Sequence, residues 1–457
     1  MSEPNSQSEN AGRSLSGAEN VEKAAVRLLA IVREVALELQ PRKRLAREVR
    51  LDCDLDRDLG LDSLGRAELV QRVERAFDVR LPEQLIGDAE TPADLLQAVI
   101  GASGVPAGAG HRLKPASLEL TEAEEPEHAG TLLEALSAHV DAHPERPHIA
   151  LWMSDEEEAR ITCGDLDRRA RACAAGLVDR IRPGERVAIM LPTGQDFFVA
   201  FFAVLMAGGV PVPIYPPFRR SQLEEHVRRQ AGILRNAEAS LLIADAVVRP
   251  FGVLLQGLVA DLRALTTVED LSQRQPVTQY IPASPGTVAL IQYTSGSTGD
   301  PKGVVLTHAN LLANIRAMGK AMQASSREVF ASWLPLYHDM GLIGAWLGSL
   351  YYGALVAVMP PLAFLADPVR WLWSIHRHRA TLTAAPNFAY EQCLKSVRDE
   401  DLAGLDLSSL RVAVNGSEPV SPSTIARFTE RFRKYGFRPE AMSPAYGLAE
   451  CSVGLAF

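Results

Sequence analysis

The sequence predicts two structural parts: a small all-α unit of four helices, followed by a large α/β domain. Two observations lead to this prediction. Residues 21–100 show apolar residues at helical spacing and no strand pattern. From residue 131 onward, short apolar strands alternate with helices. Because strand–helix–strand units of this kind build parallel sheets covered by helices, the second part belongs to the α/β class.

The first part begins with residues 1–20, which are rich in Ser, Asn, Gly and Glu and lack the apolar core of a signal peptide. We expect them to form a disordered tail. A strongly apolar helical pattern covers residues 21–40, and an acidic loop leads to a second helix that starts near Ser63. One face of that helix carries Leu69, Val70, Val73 and Phe77. Thr91-Pro92 opens the last helix, since proline at the first helical position loses no hydrogen bond.

Residues 101–130 mix Gly, Pro, Ala, Ser and Glu without helical or strand period, which predicts a flexible linker. The α/β domain is expected to cover residues 131–457. Its first clear unit is a strand at 187–191, a helix at 195–207 and a second strand at 210–214.

Composition narrows the possible partners. The 457 residues carry a net charge of −9 and no basic block, which argues against a nucleic-acid partner. The five cysteines include no CxxC pair, so we expect reduced thiols and a cytoplasmic protein. The uncharged run 340–359 is split by Gly353 and is followed by Pro360-Pro361. It predicts a buried helix and strand, and no membrane span is expected.

The stretch Gln292–Val304 is the most informative part of the sequence. Two predicted strands, 288–291 and 304–306, enclose a loop of hydroxyls and glycines with one lysine, Lys302. Such a loop presents backbone N–H groups and hydroxyls to a polyanion, and the lysine adds a charge for phosphate oxygens. It differs from a Walker A loop because Gly303 follows the lysine. A flexible polar hairpin loop is the alternative. The candidate phosphate-binding residues are Thr294, Ser295, Gly296, Ser297, Thr298, Gly299 and Lys302.

Three further strings accompany this loop. The first is Trp333–Leu342, which contains His338. This residue could equally be a structural histidine that is hydrogen-bonded in the core. The second, Asn415–Pro419, follows a predicted strand, where open α/β sheets either bind ligands or simply turn. The third, Ala445–Glu450, offers a tyrosine face for a purine and a carboxylate for magnesium.

Together with Ala385–Tyr390, the four strings resemble the fatty acyl-AMP ligases, a branch of the adenylate-forming (AMP-binding) enzymes. The resemblance runs from about Thr131 to the last residue. It implies that ATP and a fatty acid react to give acyl-AMP and pyrophosphate, with Mg²⁺ as a cofactor. The implied roles are phosphate binding by Thr294–Lys302, adenine binding by Gly416, Ser417, Glu418, Tyr446 and Gly447, and magnesium binding by Glu450. His338 would lie beside the reacting carboxylate, and the apolar residues after Met340 would line the acyl tunnel together with Asn387–Tyr390.

Ser63 is the candidate for a covalent cofactor. A serine after an acidic loop is most often a helix N-cap, and Asp-Ser-Leu alone is a weak signal. Within its helical segment, however, it resembles the attachment site of an acyl carrier domain. That resemblance implies 4′-phosphopantetheine on Ser63, a phosphopantetheinyl transferase as a partner, and basic partner enzymes that dock on the acidic surface.

The family continues beyond the Glu450 motif with a ribose-binding aspartate and a mobile domain that bears a catalytic lysine, whereas this sequence stops at Phe457. We therefore expect the front part of a longer lipid, polyketide or lipopeptide synthase, with an incomplete ligase domain and downstream modules or carrier proteins as partners. An acyl-CoA synthetase is one alternative. A catalytically incomplete fragment, in which only the carrier domain works, is another.

Overall fold

The computed structural model describes residues 18–39, 49–61, 63–102, 120, 122–154, 157–217, 223–294 and 301–457. These residues form two compact units, one ending at residue 102 and the other beginning at residue 120.

The described residues of the first unit form helices only. They are α1 (Ala18–Leu39), α2 (Ser63–Phe77), α3 (Leu85–Asp88) and α4 (Pro92–Gly101). Helix α1 begins three residues before the predicted start, within the segment assigned to the tail, and residues 1–17 lie outside the described part. The predicted apolar face of α2 is buried at Leu69, Val70 and Val73. At the start of α4, the Thr91 hydroxyl accepts a hydrogen bond from the Asp94 N–H, which stabilises the first turn.

The acidic loop before α2 is an ordered turn. One carboxylate oxygen of Asp54 accepts hydrogen bonds from the N–H groups of Asp56 and Arg57, each at 2.9 Å. The carboxylate of Asp58 accepts from the Asp54 N–H at 3.0 Å. Aspartate commonly stabilises turns in this way, so part of the acidic character of the loop has a structural use.

The second unit has the predicted α/β architecture. Its helices in the described part are α5 (Leu132–Ala142), α6 (Cys163–Leu177), α7 (Gln195–Met206), α8 (Leu223–Asn236), α9 (Arg249–Leu258), α10 (Val268–Leu271), α11 (His308–Met322), α12 (Gly348–Tyr351), α13 (Pro361–Ala366), α14 (Val369–His378), α15 (Asn387–Ser396) and α16 (Pro422–Phe432). Its strands are β1 (Pro147–Trp152), β2 (Glu158–Thr162), β3 (Arg186–Met190), β4 (Val210–Pro213), β5 (Ala239–Ala244), β6 (Ala264–Thr266), β7 (Val288–Thr294), β8 (Lys302–Thr307), β9 (Val329–Ser332), β10 (Leu355–Val358), β11 (Leu382–Ala385), β12 (Val412–Asn415), β13 (Met442–Pro444), β14 (Tyr446–Leu448) and β15 (Val453–Ala456).

A seven-stranded sheet with the order β13-β12-β11-β9-β10-β1-β2 forms the centre of this unit. All neighbouring pairs are parallel except β1 and β2. A separate parallel sheet has the order β4-β3-β5-β6 and contains the predicted unit β3-α7-β4. Two antiparallel hairpins, β7–β8 and β14–β15, complete the described strands. In parallel sheets of this kind, ligands bind at the carboxyl ends of the strands.

The run 340–359 is buried, as the sequence predicts. It begins with a π-helix at Met340–Leu347, followed by α12 and β10. Trp346 of the π-helix packs edge-on against Phe198 and Phe201 of α7, with ring centroids 4.7 and 5.4 Å away. Its indole N–H donates to Nε2 of the buried His148 at 3.2 Å. Among the described residues, no helix has both the length and the apolar composition that crossing a membrane requires.

The predicted linker ends earlier than the sequence suggests. Ala129 is buried in the core of the second unit, and the Ala123 N–H donates to the hydroxyl of Ser326 at 2.9 Å. The guanidinium of Arg316 donates to the carbonyl oxygen of Ala129 at 2.6 Å. Residues 122–130 therefore belong to the second unit. The sequence does not reveal this packing, because the segment has few apolar residues and makes these hydrogen bonds through its backbone atoms.

Candidate active site

A cavity of about 540 Å³ lies at the carboxyl ends of the central strands. This volume is within the usual range for small-molecule sites. The lining residues are Thr294, Lys302, Met318, Met322, Phe330, His338, Asp339, Met340, Gly344, Ala384, Val414, Gly416, Ser417, Ala445, Tyr446, Gly447, Leu448, Ala449, Glu450, Val453, Gly454 and Phe457. Residues from all four sequence strings thus meet in one cavity, although they are up to about 150 positions apart in the chain.

His338 and Asp339 form a hydrogen-bonded pair in this cavity. The Nδ1–H group of His338 donates to the Asp339 carboxylate at 2.8 Å. The same carboxylate accepts the Met340 N–H at 2.7 Å and so caps the π-helix. Desolvation lowers the pKa of His338, but the hydrogen bond and the negative charge of Asp339 raise it, and the net shift is upward from the ordinary value. Near neutral pH the imidazole is therefore more readily protonated, and Nε2 remains for a bound molecule.

The loop after β12 meets the loop after β13 because these strands pair in register. Asn415 lies opposite Pro444, and the Ala445 N–H donates to the Asn415 carbonyl at 2.9 Å. A Cβ atom on Gly416 would lie 2.8 Å from the carbonyl oxygen of Ala445, so only glycine fits there. Ser417 has a φ of 67°, in the left-handed region that few side chains adopt. The strand pairing and the Ala445–Asn415 hydrogen bond hold the two loops together beside the cavity, and the unusual backbone of Ser417 is of the kind that clusters at binding sites.

The third string supplies β14, which pairs with β15, and the first two residues of the short 3₁₀ turn Ala449–Cys451. A Cβ atom on Gly447 would overlap the Val453 carbonyl oxygen, so the hairpin requires glycine at that position. The Tyr446 ring is 64% exposed, which leaves a flat face accessible to a planar ligand. Glu450 in the 3₁₀ turn is also exposed. Both side chains are therefore accessible to molecules in the cavity.

The predicted phosphate loop joins β7 to β8. Thr294 and Lys302 are cross-strand partners at the open end of this hairpin, and both line the cavity. Neither Lys302 nor Glu450 has an ion-pair partner among the described residues, so the two charges are not used for structure there. Ser295, Gly296, Ser297, Thr298 and Gly299 lie outside the described residues.

The other end of the cavity is apolar. It is formed by Met318 and Met322 of α11 and Phe330 of β9, which lie together because all three also line a neighbouring narrow void. Gly344 of the π-helix also lies here, and a Cβ atom built on it meets no atom within 4 Å. The sequence predicted that the apolar residues after Met340 line an acyl tunnel; of the π-helix residues after Met340 only Gly344 lines this cavity, and α11 and β9 were not predicted. Their side chains carry no motif, and only the packing of the fold brings them together.

Two predicted sets of residues lie outside the lining of this cavity. Residues Asn387–Tyr390 do not line the cavity, because they form the first turn of α15 and Tyr390 is buried with its hydroxyl on the carbonyl oxygen of Val414 at 2.8 Å. Glu418, predicted to bind the nucleotide, is not in the cavity lining either. Its carboxylate accepts a hydrogen bond from the Phe388 N–H at 2.5 Å and joins α15 to the loop after β12.

Magnesium would have few protein ligands here. No group of three or more His, Cys, Asp or Glu residues suited to a metal occurs among the described residues. The exposed Glu450 carboxylate fits the sites in which Mg²⁺ takes one or two carboxylates and fills its remaining positions with substrate phosphates and water.

The predicted covalent site lies in the first unit. Ser63 is the first residue of α2, but its side chain and the preceding Asp62 lie outside the described residues.

Each of the two units contains a region that matches a known protein family. Residues 136–457 match the family described as AMP-binding enzyme, and residues 28–99 match the family described as phosphopantetheine attachment site. A medium-chain-fatty-acid–[acyl-carrier-protein] ligase, JamA of Moorena producens, is 36% identical over 332 residues, which cover 71% of this chain and 55% of the relative. The long-chain-fatty-acid–AMP ligase FadD26 of Mycobacterium marinum is 37% identical over 300 residues, covering 63% and 50%.

A solved structure shows the same fold. The fatty acyl-adenylate ligase of L. pneumophila, determined in complex with acyl adenylate and pyrophosphate, has a TM-score of 0.65 and 34% identity, covering 72% of this chain and 57% of that chain. The chain spans about half the length of the curated relatives that it matches. The family model covers well over half of this chain. The chain therefore belongs to the AMP-binding enzymes, and a phosphopantetheine attachment domain precedes its AMP-binding region.

Proposed function

We propose that the cavity activates a fatty acid with ATP, giving an acyl-AMP and pyrophosphate. One observation supports this most strongly: a single cavity has glycine loops, a lysine, a histidine and an exposed tyrosine at one end and apolar side chains at the other. The reaction product has the same two parts, a polar nucleotide and an apolar chain. ATP would occupy the polar end and the acyl chain the apolar end.

The chemistry requires little from the protein beyond alignment and charge neutralisation. A carboxylate oxygen of the fatty acid attacks the α-phosphorus, the bond from that phosphorus to the bridging oxygen breaks, and pyrophosphate leaves with the electron pair. The carboxylate is ionised at neutral pH, so no general base is required. Lys302 would neutralise charge on the departing phosphates, and Mg²⁺, held by Glu450 and the phosphates, would supply further positive charge.

His338 would act on the reacting groups. Its hydrogen bond to Asp339 fixes the orientation of the ring and leaves Nε2 for the substrate. Because the Asp339 charge favours the protonated imidazole, Nε2–H would donate to a carboxylate or α-phosphate oxygen as these groups approach each other. Two negative groups must come together in this reaction, and a positive donor between them lowers the barrier.

The acyl group would then pass to a phosphopantetheinyl thiol. The match to a phosphopantetheine attachment site supports Ser63 as the position of such an arm, placed there by a phosphopantetheinyl transferase. Downstream synthase modules or separate carrier proteins are the other candidate acceptors. The five cysteines are free thiols. We propose a cytoplasmic location, where thiols stay reduced.

Product analysis tests this function. The chain is incubated with ATP, Mg²⁺ and fatty acids of increasing length, with and without coenzyme A, and the products are identified by mass spectrometry. Acyl-AMP with no acyl-CoA is the expected product, and a version extended with the C-terminal domain of a family member should form it much faster than the 457-residue chain. Formation of acyl-CoA would identify an acyl-CoA synthetase, and adenylation of amino acids but not fatty acids would overturn the proposed substrate class.

A further inference from the structure

The apolar end of the cavity adjoins two further spaces. Four of its lining residues, Met318, Met322, Phe330 and Gly344, also line a second, narrow void of about 30 Å³. That void in turn shares Gly319, Ala324 and Tyr352 with a surface cleft of about 450 Å³. The three spaces thus adjoin one another in series through these shared lining residues.

Small residues form one side of the narrow void. Gly344 and Gly348 lie four positions apart along the π-helix and the start of α12, and both line the void. A Cβ atom on Gly344 meets nothing within 4 Å, and one on Gly348 would lie 3.4 Å from the Ile343 carbonyl oxygen. The backbone therefore leaves room at both positions. On the opposite side, Met318 and Met322 are unbranched and adapt easily to a neighbouring chain.

The buried charge beside the void is neutralised. Glu328 lines the void, and its carboxylate accepts hydrogen bonds from the Arg411 guanidinium at 2.8 Å and from the Thr381 hydroxyl. Placing an apolar chain beside a paired and hydrogen-bonded charge costs far less free energy than placing it beside an unpaired charge.

Tyr352 closes the far end. Its ring lies so close to α11 that any side chain at Gly319 would overlap it. The Tyr352 hydroxyl donates to the Arg316 carbonyl oxygen at 3.5 Å, a long and therefore weak bond, and the ring is 7% exposed. Beyond it, Glu125, Lys320 and Gln323 line the open cleft. Tyr352 is thus the large side chain among the three residues that line both the void and the open cleft.

We propose that the acyl site is a passage with a second mouth, and that Tyr352 is the gate at this mouth. The proposal rests on the acyl-binding role proposed above and adds a substrate class to it. Medium chains end within the first cavity. Long chains displace Met318 and Met322, pass Gly344 and Gly348, and turn the Tyr352 ring outward so that the end of the chain reaches the cleft. The protein is therefore suited to long-chain fatty acids, because no closed pocket limits the length of the acyl chain.

Binding measured against chain length tests the passage. Saturated fatty acids from six to twenty carbons compete with a fluorescent fatty acid for the full chain. Each methylene buried adds about fourfold in affinity, since burial of one methylene contributes about 0.8 kcal/mol. In the wild type this increase should continue through the long chains. In Gly348→Leu the increase of affinity with chain length should stop at the medium chains. Unchanged binding of the medium chains shows that the variant is folded. Tyr352→Ala should bind the longest acids several-fold more tightly.

The control is Gly257→Leu, a matched change on the exposed face of α9 with no atom within 4 Å of the new Cβ, and it should behave as the wild type. If Gly348→Leu binds long acids as the wild type does, the passage is wrong. The same holds if Tyr352→Ala leaves the profile of the longest acids unchanged. Failure of the proposed function gives a different result, because the wild type would then show no saturable fatty-acid binding at any length.

A photoreactive label gives an independent reading. A fatty acid with a diazirine at its terminal carbon is bound to the wild type and irradiated, and the labelled peptides are identified. Long chains should label the peptide that contains Glu125 at the second mouth, whereas medium chains should label α11 near Met318. Labelling near Met318 by chains of every length would contradict the second mouth.

Discussion

Removal of the Lys302 side chain is the sharpest test of the nucleotide end of the cavity. We expect Lys302→Ala to weaken ATP binding by about 10- to 100-fold, because a hydrogen bond to a charged group contributes about 1.5–3 kcal/mol. The fold should be unaffected. Lys302 is exposed at the first position of β8, its backbone pairs with Thr294 in either variant, and its side chain has no ion-pair partner among the described residues. A surface change of this kind alters stability by about 0.5 kcal/mol or less, or less than about 2 °C in melting temperature.

The assay is the fluorescence anisotropy of a labelled ATP analogue, with the melting temperature recorded on the same samples. Lys395→Ala is the matched control, since Lys395 is exposed on α15 and does not line the cavity. Its affinity and melting temperature should equal those of the wild type. A fall of more than about 5 °C in the melting temperature of Lys302→Ala, with unchanged nucleotide affinity, would show that Lys302 is structural and would refute the proposed role.

Three further outcomes follow from the structure. Asp339→Asn should lower the pKa of His338, because it removes the charge and weakens the hydrogen bond that raise this pKa. NMR titration of His338 measures the change, and equal pKa values in the variant and the wild type would contradict the prediction. Burial lowers the pKa of His148 to about 4, so the folded protein keeps this imidazole neutral. The free energy of unfolding should therefore fall by about 3 kcal/mol as the pH falls from about 6.5 towards 4. His148→Gln should reduce that acid sensitivity in pH-dependent unfolding, and an unchanged pH profile would contradict it. Treatment with a phosphopantetheinyl transferase should add one arm to the wild type and none to Ser63→Ala, measured by intact mass; equal mass gain in both would exclude Ser63.

Three of the four motifs that predicted the polar end of the cavity follow strands of the parallel central sheet, whereas the phosphate loop joins the two strands of the antiparallel β7–β8 hairpin. Carboxyl ends of parallel strands meet at one edge, so residues such as His338 and Gly416 come together whatever their distance in sequence. The partner of His338 was not predicted, although Asp339 is the next residue. An adjacent carboxylate signals nothing by itself, and only the turn into the π-helix brings it to 2.8 Å from Nδ1.

The apolar end was only partly predictable for a different reason. Met318 and Met322 lie on α11, whose apolar residues the sequence cannot divide between core and cavity. Asn387–Tyr390, which the family resemblance placed along a tunnel, lie outside this cavity's lining, and the Tyr390 hydroxyl donates to the backbone of β12. Likewise, the closeness of Gly319 and Tyr352 depends on how two helices pack, and neither residue belongs to a motif.

Binding of an acyl-adenylate analogue tests the central claim most directly, because it requires both ends of the cavity at once. Dodecanoyl-sulfamoyl-adenosine replaces the reactive phosphate of the adenylate with a stable group, and its affinity for the chain is measured by isothermal titration calorimetry. The compound spans the polar and apolar ends, so it should bind at least about 100-fold more tightly than dodecanoic acid or AMP alone. Affinity no greater than that of either half would contradict the claim that one cavity holds the nucleotide and the acyl chain together.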